Sequence, residues 1–269
     1  MSKLLTAAIQ LNSQPDLGHN MKEIYRWIKK AAEKGAKLIC LPENFAFMGN
    51  EKERVRQAED ISATVENNLS AWSEELSVYI LGGGYPVPAG SGKVYNRSGL
   101  FNPNGKIEAV YNKIHLFDVK LSDDETYLES GMVQPGKEIV SGELEEFDMK
   151  VGLSICYDIR FPELYRKQSE RGADILTIPA AFTRPTGRAH WDILLRARAI
   201  ENSAYVIAPA QTGKHGTKRE TYGHSMIIDP WGTILADAGT EPGMVLAELD
   251  PSVIEDIRRK LPSLKHRVL

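Results

Sequence analysis

Residues 149–172, MKVGLSICYDIRFPELYRKQSERG, join a strand-like run to a helix-like run. The apolar run MKVGLSIC predicts a buried strand that ends at Cys156. PELYRKQSERG predicts a helix, because Pro162 suits the first turn and Gly172 suits a helix end. Strands that alternate with helices are typical of α/β proteins. We therefore expect an α/β fold in which Cys156 is exposed above a sheet edge, at a strand-to-helix turn.

A second segment repeats this plan. EKGAKLICLP at residues 33–42 and ERGADILTIP at residues 170–179 share Glu, Gly, Ala and Pro at four of ten positions. Chance similarity between two helix–strand joints is one explanation, and a duplicated half with its own helix-faced sheet is the other. No linker rich in Pro, Gly or Ser divides the chain. We therefore expect residues 1–269 to form a single domain in which two sheets pack as an α/β sandwich.

Strand-like runs and amphipathic stretches alternate along the rest of the chain. Residues 20–34 carry apolar side chains at helical spacing, with Asn20 and Glu23 placed as a capping box. YNRSGLFNPNGKIEAVYNK predicts two strands joined by an Asn-Pro-Asn-Gly turn. LGGGYP lacks the spacing of a nucleotide-binding loop and indicates a strand end where backbone approaches backbone. MVLAELD predicts a last strand before a final helix.

Composition and charge exclude several classes of function. The chain has 33 Lys and Arg against 36 Asp and Glu, so a net charge of −3 gives no footprint for nucleic acid or an anionic membrane. The apolar run at residues 4–9 is shorter than the core of a signal peptide, and no run approaches the ~20 apolar residues of a membrane-spanning helix. Two cysteines make no disulfide framework. We expect a cytoplasmic protein with no nucleic-acid or membrane partner.

Three residues together suit the hydrolysis of an amide. Each has an ordinary alternative: Cys156 as a buried apolar thiol, Glu43 as a solvated loop acid, and Lys113 as a surface lysine. Glu43 nevertheless follows the strand LICLP, as Cys156 follows its own strand, and Lys113 lies among apolar neighbours. In the predicted mechanism Cys156 attacks the carbonyl carbon, and Glu43 carries the proton to the leaving amine. Lys113 and the Tyr157 N–H stabilise the oxyanion, and neither metal nor cofactor is needed.

LPEN, YNKIHLFD and SICYDIRFPELYR resemble the Glu, Lys and Cys signatures of the carbon–nitrogen hydrolase (nitrilase-like) superfamily, in the same order and with similar separations. The resemblance spans nearly the whole chain. It implies a four-layer αββα sandwich of two mixed sheets, dimerising into an eight-layer assembly, and thus a homodimer or higher homo-oligomer. It also implies that Glu129 is the second glutamate that many members place beside the lysine.

The C-terminal half resembles one branch of this superfamily. APAQTGKHG and YGHSM are similar to the deaminated glutathione amidases, which cleave their substrate to 2-oxoglutarate and cysteinylglycine. An omega-amidase acting on 2-oxoglutaramate and an N-carbamoyl hydrolase remain alternatives. A catalytically silent interaction module is a further one, although such a module would be free to lose Glu43, Lys113 and Cys156.

A small amide substrate of this kind carries a carboxylate beside a ketone, for which an arginine is the natural partner. The candidates are Arg160, four residues after Cys156, and Arg184 in AFTRPTG. Arg160 has the ordinary alternative of pairing with Asp158. Arg196 and Arg198 are expected on a charged helix surface.

A papain-like Cys–His pair is the mechanistic rival. His115 and His224 are the histidines placed to approach the site, and each is expected to be structural. The histidines lack zinc-like spacing, so no metal site is expected. Cys40, inside the strand LICLP, is expected to be a packed core thiol.

Overall fold

The computed structural model describes residues 2–90, 92–120, 126–216 and 219–268. The α-helices of these ranges are α1 (Leu17–Glu33), α2 (Glu51–Arg56), α3 (Ala58–Leu76), α4 (Pro162–Glu170), α5 (Arg184–Asn202) and α6 (Pro251–Lys260). The strands are β1 (Leu4–Gln10), β2 (Leu38–Cys40), β3 (Tyr79–Pro88), β4 (Val94–Phe101), β5 (Ile107–Asn112), β6 (Asp118–Lys120), β7 (Thr126–Leu128), β8 (Ser141–Leu144), β9 (Met149–Leu153), β10 (Ile175–Thr177), β11 (Tyr205–Ala208), β12 (Thr212–His215), β13 (Arg219–Tyr222), β14 (Met226–Ile228), β15 (Ile234–Asp237) and β16 (Gly243–Leu249). A short 3₁₀ helix covers Cys156–Arg160.

Two six-stranded sheets share one pattern of parallel and antiparallel neighbours. The first has the order β16-β1-β2-β3-β4-β5, and the second, read in the matching direction, has the order β8-β9-β10-β11-β14-β15. In each sheet the second, third and fourth strands are parallel and the remaining pairs are antiparallel. The echoed segments supply β2 and β10, which hold the same position in their sheets. The sequence repeat therefore corresponds to two halves of equal topology.

Successive residues of a strand point to opposite faces of its sheet, and in these sheets both faces are apolar. One face of each sheet can therefore pack against the other sheet while the opposite face packs against helices. Ala8 and Cys40 join the core that lies between the sheets, whereas their neighbours Ala7 and Ile39 face the core beneath α1 and α3. Helices α4 and α5 cover the outer face of the second sheet. Their buried residues, such as Leu195, belong to the same continuous apolar cluster as the residues between the sheets. This order of layers confirms the αββα sandwich of two mixed sheets. The predicted burial of Cys40 is also confirmed, and burial raises the pKa of its thiol.

Two local predictions were wrong. Helix α1 begins at Leu17, and its cap is Asp16, whose carboxylate accepts the His19 N–H. Asn20 is buried and instead donates to the carbonyls of Gln14 and Ala46, so it fastens a loop and does not cap a helix. Arg198 does not lie on a charged surface. It is 5% exposed and donates to the Ile159 carbonyl next to the 3₁₀ helix.

The predicted hairpin and last strand are confirmed. Strands β4 and β5 pair antiparallel across the Asn-Pro-Asn-Gly turn. Strand β16 pairs antiparallel with β1, so the last strand of the chain is an edge strand of the first sheet. Within the described ranges, none of the helices combines the length and apolar character needed to span a bilayer.

Candidate active site

The three residues predicted to carry the chemistry follow strands from both sheets. Glu43 lies three residues beyond β2, Lys113 directly follows β5, and Cys156 lies three residues beyond β9. Gly83 of β3 permits the close approach of the two halves here, because a side chain at this position would overlap the Leu41 carbonyl oxygen and crowd Pro179. The glycine-rich segment thus lets backbone approach backbone as predicted, although within a strand and not at its end.

The Lys113 ammonium is enclosed by two carboxylates. Its Nζ donates to Glu43 Oε1 over 3.1 Å and to Glu129 Oε1 and Oε2 over 3.0 and 2.9 Å. Glu129 also accepts the Phe117 N–H over 2.6 Å, which fixes the carboxylate against the chain after β5. Burial alone would lower the pKa of Lys113, but Glu129 and Glu43 outweigh burial and raise it. Lys113 therefore remains a cation throughout the physiological pH range.

The Glu43 carboxylate is buried and held from several directions. Besides Lys113, Oε1 accepts a hydrogen bond from Asn96 Nδ2 over 2.8 Å, and Oε2 accepts the Ala181 N–H over 3.0 Å. Burial would raise the pKa of Glu43, but attraction to Lys113 and Arg219 lowers it below the ordinary 4.5. Glu43 is therefore an ionised carboxylate, and it lines the same cavity as Cys156.

Cys156 occupies a strained turn. Its φ of 50° lies in the left-handed region, which costs a residue with a β-carbon about 1–2 kcal/mol. The Cys156 N–H donates to the Pro179 carbonyl over 2.9 Å, and the Ile155 N–H donates to the buried Asp158 carboxylate over 2.9 Å. Burial, together with the charge of Glu43, raises the pKa of Cys156 despite the nearby Lys113. The resting site therefore pairs a thiol with a carboxylate.

A cavity of about 590 Å³ opens onto Cys156, Glu43 and Lys113. One part of its wall is aromatic and apolar, formed by Phe117, Tyr127, Leu128, Tyr157 and Phe182. Another part is cationic, with Lys52, Arg54 and Arg219 around Glu51. The volume suits a small molecule, and the wall offers both an apolar surface and charged groups.

The structure brings some of the sequence-predicted residues together and separates others. Glu43, Lys113, Glu129, Cys156 and Tyr157 all line the cavity. The two arginine candidates do not. The Arg160 guanidinium lies over the rings of Tyr157 and Phe182, and its Nη2 is 3.3 Å from His190 Nδ1. The Arg184 side chain is 65% exposed and pairs with Glu220 over 2.7 Å.

Sequence reasoning missed most of the residues that line the cavity, including the polar residues Asn96, Arg54 and Arg219. Asn96 binds Glu43, and it lies in the quoted strand segment YNRSGLF without any local signal for this role. Arg54 belongs to α2, which begins soon after LPEN. Arg219 lies between APAQTGKHG and YGHSM. The available signal for the two arginines was therefore that each lies close in sequence to a motif shared with the family.

The two histidines of the rival mechanism have other partners. His115 Nδ1 is 2.7 Å from Asp158 Oδ1, and its ring stacks on Phe161 with centroids 3.7 Å apart. His224 Nδ1 is 3.0 Å from Asp237. The cavity-lining residues that the structure describes include no histidine. In the same described ranges, no cluster of three or more His, Cys, Asp or Glu side chains is arranged to hold a metal ion.

The chain is similar to known proteins over nearly its whole length. The carbon-nitrogen hydrolase family model matches residues 5–259. A deaminated glutathione amidase from Synechocystis is 50% identical over 270 residues, covering 100% of this chain and 99% of that protein. An omega-amidase from Pongo abelii is 36% identical over 269 residues, covering 99% and 96%. The crystal structure of the C. elegans NitFhit protein matches with a TM-score of 0.91 and 36% identity, covering 100% of this chain and 66% of that one.

Proposed function

Because the chain belongs to the carbon–nitrogen hydrolase family, we propose that it hydrolyses deaminated glutathione through a thioester on Cys156. The family and its amidase relatives make the chain a hydrolase that acts on amides, and the resemblance read from the three sequence motifs is confirmed. One observation carries the mechanism: the Glu43 carboxylate, the Lys113 ammonium and the Cys156 thiol meet at one cavity. The 50% identity to a deaminated glutathione amidase supports the substrate.

Acylation begins from the thiol and the carboxylate. Glu43 accepts the Sγ proton while the sulfur attacks the carbonyl carbon of the amide, so the thiolate forms only as the new bond forms. The raised pKa of Cys156 and the lowered pKa of Glu43 keep the proton on sulfur until substrate is present. Glu43 then gives this proton to the leaving nitrogen and the C–N bond breaks. Cysteinylglycine is released, and the acyl group remains on Cys156 as a thioester.

Two donors stabilise the oxyanion of each tetrahedral intermediate. The Cys156 N–H already donates to Pro179, so the Tyr157 N–H is the first backbone donor after the nucleophile that is left for substrate. Lys113 supplies the second. Two of its hydrogen bonds go to the two oxygens of Glu129, so one can turn to the oxyanion while the other still holds the ammonium. Donors fixed in a buried site act without reorganisation, which makes them effective.

Glu43 also serves deacylation. It takes a proton from water as the water oxygen attacks the thioester carbon. The tetrahedral intermediate then collapses, the thiolate leaves and regains the proton from Glu43, and 2-oxoglutarate is released. Glu129 does not exchange protons in this scheme. Its role is to hold Lys113, because it touches Lys113 through both carboxylate oxygens.

The test compares kcat/KM for deaminated glutathione, 2-oxoglutaramate and an N-carbamoyl amino acid. We expect deaminated glutathione to be preferred. A preference for 2-oxoglutaramate would favour the omega-amidase alternative, and a preference for the carbamoyl compound would overturn the substrate assignment. Cys156→Ala is expected to abolish hydrolysis of all three without unfolding the protein. Cys40→Ala is the matched control, because Cys40 is a core thiol outside the cavity. Full activity of Cys156→Ala would refute the mechanism.

We also propose that the chain forms a homodimer through α5 and the β14–β15 turn. Ile193 and Ile200 of α5 are 64% and 45% exposed, and Trp231 of the turn is 63% exposed. Ile193 and Ile200 lie two turns apart on one face of α5, and Ile200 lies against Gly232, the chain neighbour of Trp231. Apolar surfaces of this kind commonly mark protein interfaces. Sedimentation velocity is expected to give a dimer that Ile193→Glu with Ile200→Glu converts to monomer.

We propose a cytoplasmic location as well. Cys40 and Cys156 are both free thiols, and the mechanism requires Cys156 to be reduced. Reducing compartments maintain free thiols. Fractionation of the source cells with an antibody against the protein tests this, and recovery in an oxidising compartment would contradict it.

A further inference from the structure

We propose that Arg54 and Arg219 form an anion subsite that binds the carboxylate beside the ketone of the substrate. This inference rests on the proposed function for the identity of the substrate. It replaces Arg160 and Arg184 in the role that the sequence suggested for them. The ligand class is a short 2-oxo acid with its amide at the far end.

Arg54 is a buried cation with unused donors. It is 3% exposed, and its Nη1 donates to Asn44 Oδ1 over 2.9 Å. Its Nε donates to Glu51 Oε2 over 3.1 Å. In the part of the chain that the structure describes, these are the partners of the guanidinium, so Nη2 has none. Because Arg54 lines the cavity, its unpaired Nη2 can donate to a ligand oxygen there.

Arg219 presents a second guanidinium to the same cavity. Its Nη2 donates to the Ala181 carbonyl over 3.3 Å, and its Nη1 lies 3.9 Å from Glu51 Oε1. Its Nε is buried and has no hydrogen-bond partner among the described residues. Arg54 and Arg219 therefore both lie beside Glu51, which is one acid for two guanidinium groups. A second carboxylate, brought by the ligand, would balance the charge.

The distribution of charge orients the ligand. The two carboxylates Glu43 and Glu129 surround a single ammonium, that of Lys113. The guanidinium groups of Arg54 and Arg219 share the single carboxylate of Glu51. An anionic carboxylate is repelled by the first group of charges and attracted by the second. The scissile amide, which is neutral, is thus directed to Cys156.

Ala181 contacts both groups of charges and sets the distance between them. Its N–H donates to Glu43 Oε2 over 3.0 Å, and its carbonyl accepts the hydrogen bond from Arg219. A single residue therefore separates the base from the subsite. This spacing suits a carboxylate only a few bonds from the scissile carbonyl, on the acyl side of the amide. The subsite would then hold the acyl group during both acylation and deacylation.

The experiment compares two amides that differ in one group. 2-Oxoglutaramate carries the carboxylate, and 4-oxopentanamide has a methyl group in its place. Arg54→Gln and Arg219→Gln are each expected to lower kcat/KM for 2-oxoglutaramate by about 30-fold, the effect of losing a hydrogen bond to a charged group. Both variants are expected to lower kcat/KM for 4-oxopentanamide about tenfold less than for 2-oxoglutaramate, because any effect of Arg219 on the ionisation of Glu43 is common to both amides. Arg184→Gln is the matched control, since Arg184 pairs with Glu220 outside the cavity, and it is expected to leave both values unchanged.

An equal loss on both amides in the arginine variants would overturn the proposal, as would the same loss in Arg184→Gln. Arg219 is 28% exposed, so Arg219→Gln provides a folded variant if the loss of the buried Arg54 unfolds the protein. Calorimetric binding of 2-oxoglutaramate to the Cys156→Ala protein gives a readout that needs no hydrolysis. We expect its Kd to rise about 30-fold in Arg219→Gln. That rise would support the subsite even if neither amide were hydrolysed, which is the outcome that refutes the proposed function alone. An unchanged Kd would overturn the subsite.

Discussion

The buried Asp158 carboxylate ties the turn of Cys156 to the chain that carries Lys113. Its Oδ1 accepts two hydrogen bonds from His115, from the backbone N–H over 3.0 Å and from the ring Nδ1 at 2.7 Å. Its Oδ2 accepts the Tyr111 hydroxyl over 2.7 Å and the Ile155 N–H over 2.9 Å. We expect Asp158→Asn, which hardly changes the shape of the side chain, to destabilise the protein strongly.

The magnitude follows from the count of donors. An asparagine offers one oxygen and one amino group, so whichever way the amide turns, the backbone N–H of His115 or of Ile155 loses its acceptor. A hydrogen bond to a charged group contributes about 1.5–3 kcal/mol and the remaining bonds lose the charged acceptor, so the expected loss is at least about 1.5–3 kcal/mol. That is a large part of the 5–15 kcal/mol, in round terms, by which a domain is stable. Because Tyr111 and Ile155 lie close in the chain to Lys113 and Cys156, kcat is expected to fall as well.

Urea unfolding followed by circular dichroism measures this loss. Asp192→Asn on α5 is the matched control, because this half-buried aspartate has no hydrogen bond or ion pair within the described ranges. Its expected effect is within about 0.5 kcal/mol. Tyr111→Phe, which removes one of the four donors, is expected to give an intermediate loss. If Asp158→Asn lost less than about 1 kcal/mol, the view that this carboxylate holds the turn would be refuted.

Two further predictions concern catalysis and pH. Lys113→Ala is expected to lower kcat by at least about 100-fold, which is the effect of losing an oxyanion donor. Steady-state kinetics measures this change, and a loss below tenfold would remove Lys113 from the mechanism. His215 is buried between the Ser13 carbonyl and Thr221, and burial lowers its pKa to about 4. As pH falls from about 6.5 to about 4, His215 is protonated in the unfolded chain but stays neutral in the folded chain. The free energy of unfolding therefore decreases across this window by about 3 kcal/mol. Unfolding curves of His215→Asn should lack this component, and an identical pH dependence in the variant would contradict the assignment.

The sequence predicted those parts of the site that depend on strand ends. LICLP and MKVGLSIC are apolar enough to be buried strands, and the residues that follow such strands are forced to a common edge of the sheets. Glu43 and Cys156 could therefore be placed together before any coordinates. Lys113 was found in the same way, from its position after a strand.

The arginines were not predictable by this reasoning. Arg54 and Arg219 reach the cavity because α2 and the β12–β13 hairpin fold over it, and no local pattern records how loops pack on one another. The start of α1 was missed for a related reason. Asn20 looks like a cap in sequence, but tertiary contacts with Gln14 and Ala46 use its side chain instead.

The matching registers of the two sheets pair each position of one half with a position of the other. Thr6 pairs with Leu38 in the first sheet as Val151 pairs with Ile175 in the second, so Leu11 is the counterpart of Cys156. The bridges Glu43–Gly84 and Ala180–Ala210 make Ala180 the counterpart of Glu43. Glu43 and Cys156 therefore lie in different halves, and the corresponding positions of the opposite halves hold aliphatic residues. Neither half contains both groups, so the cavity that unites them exists only where the two sheets are packed together.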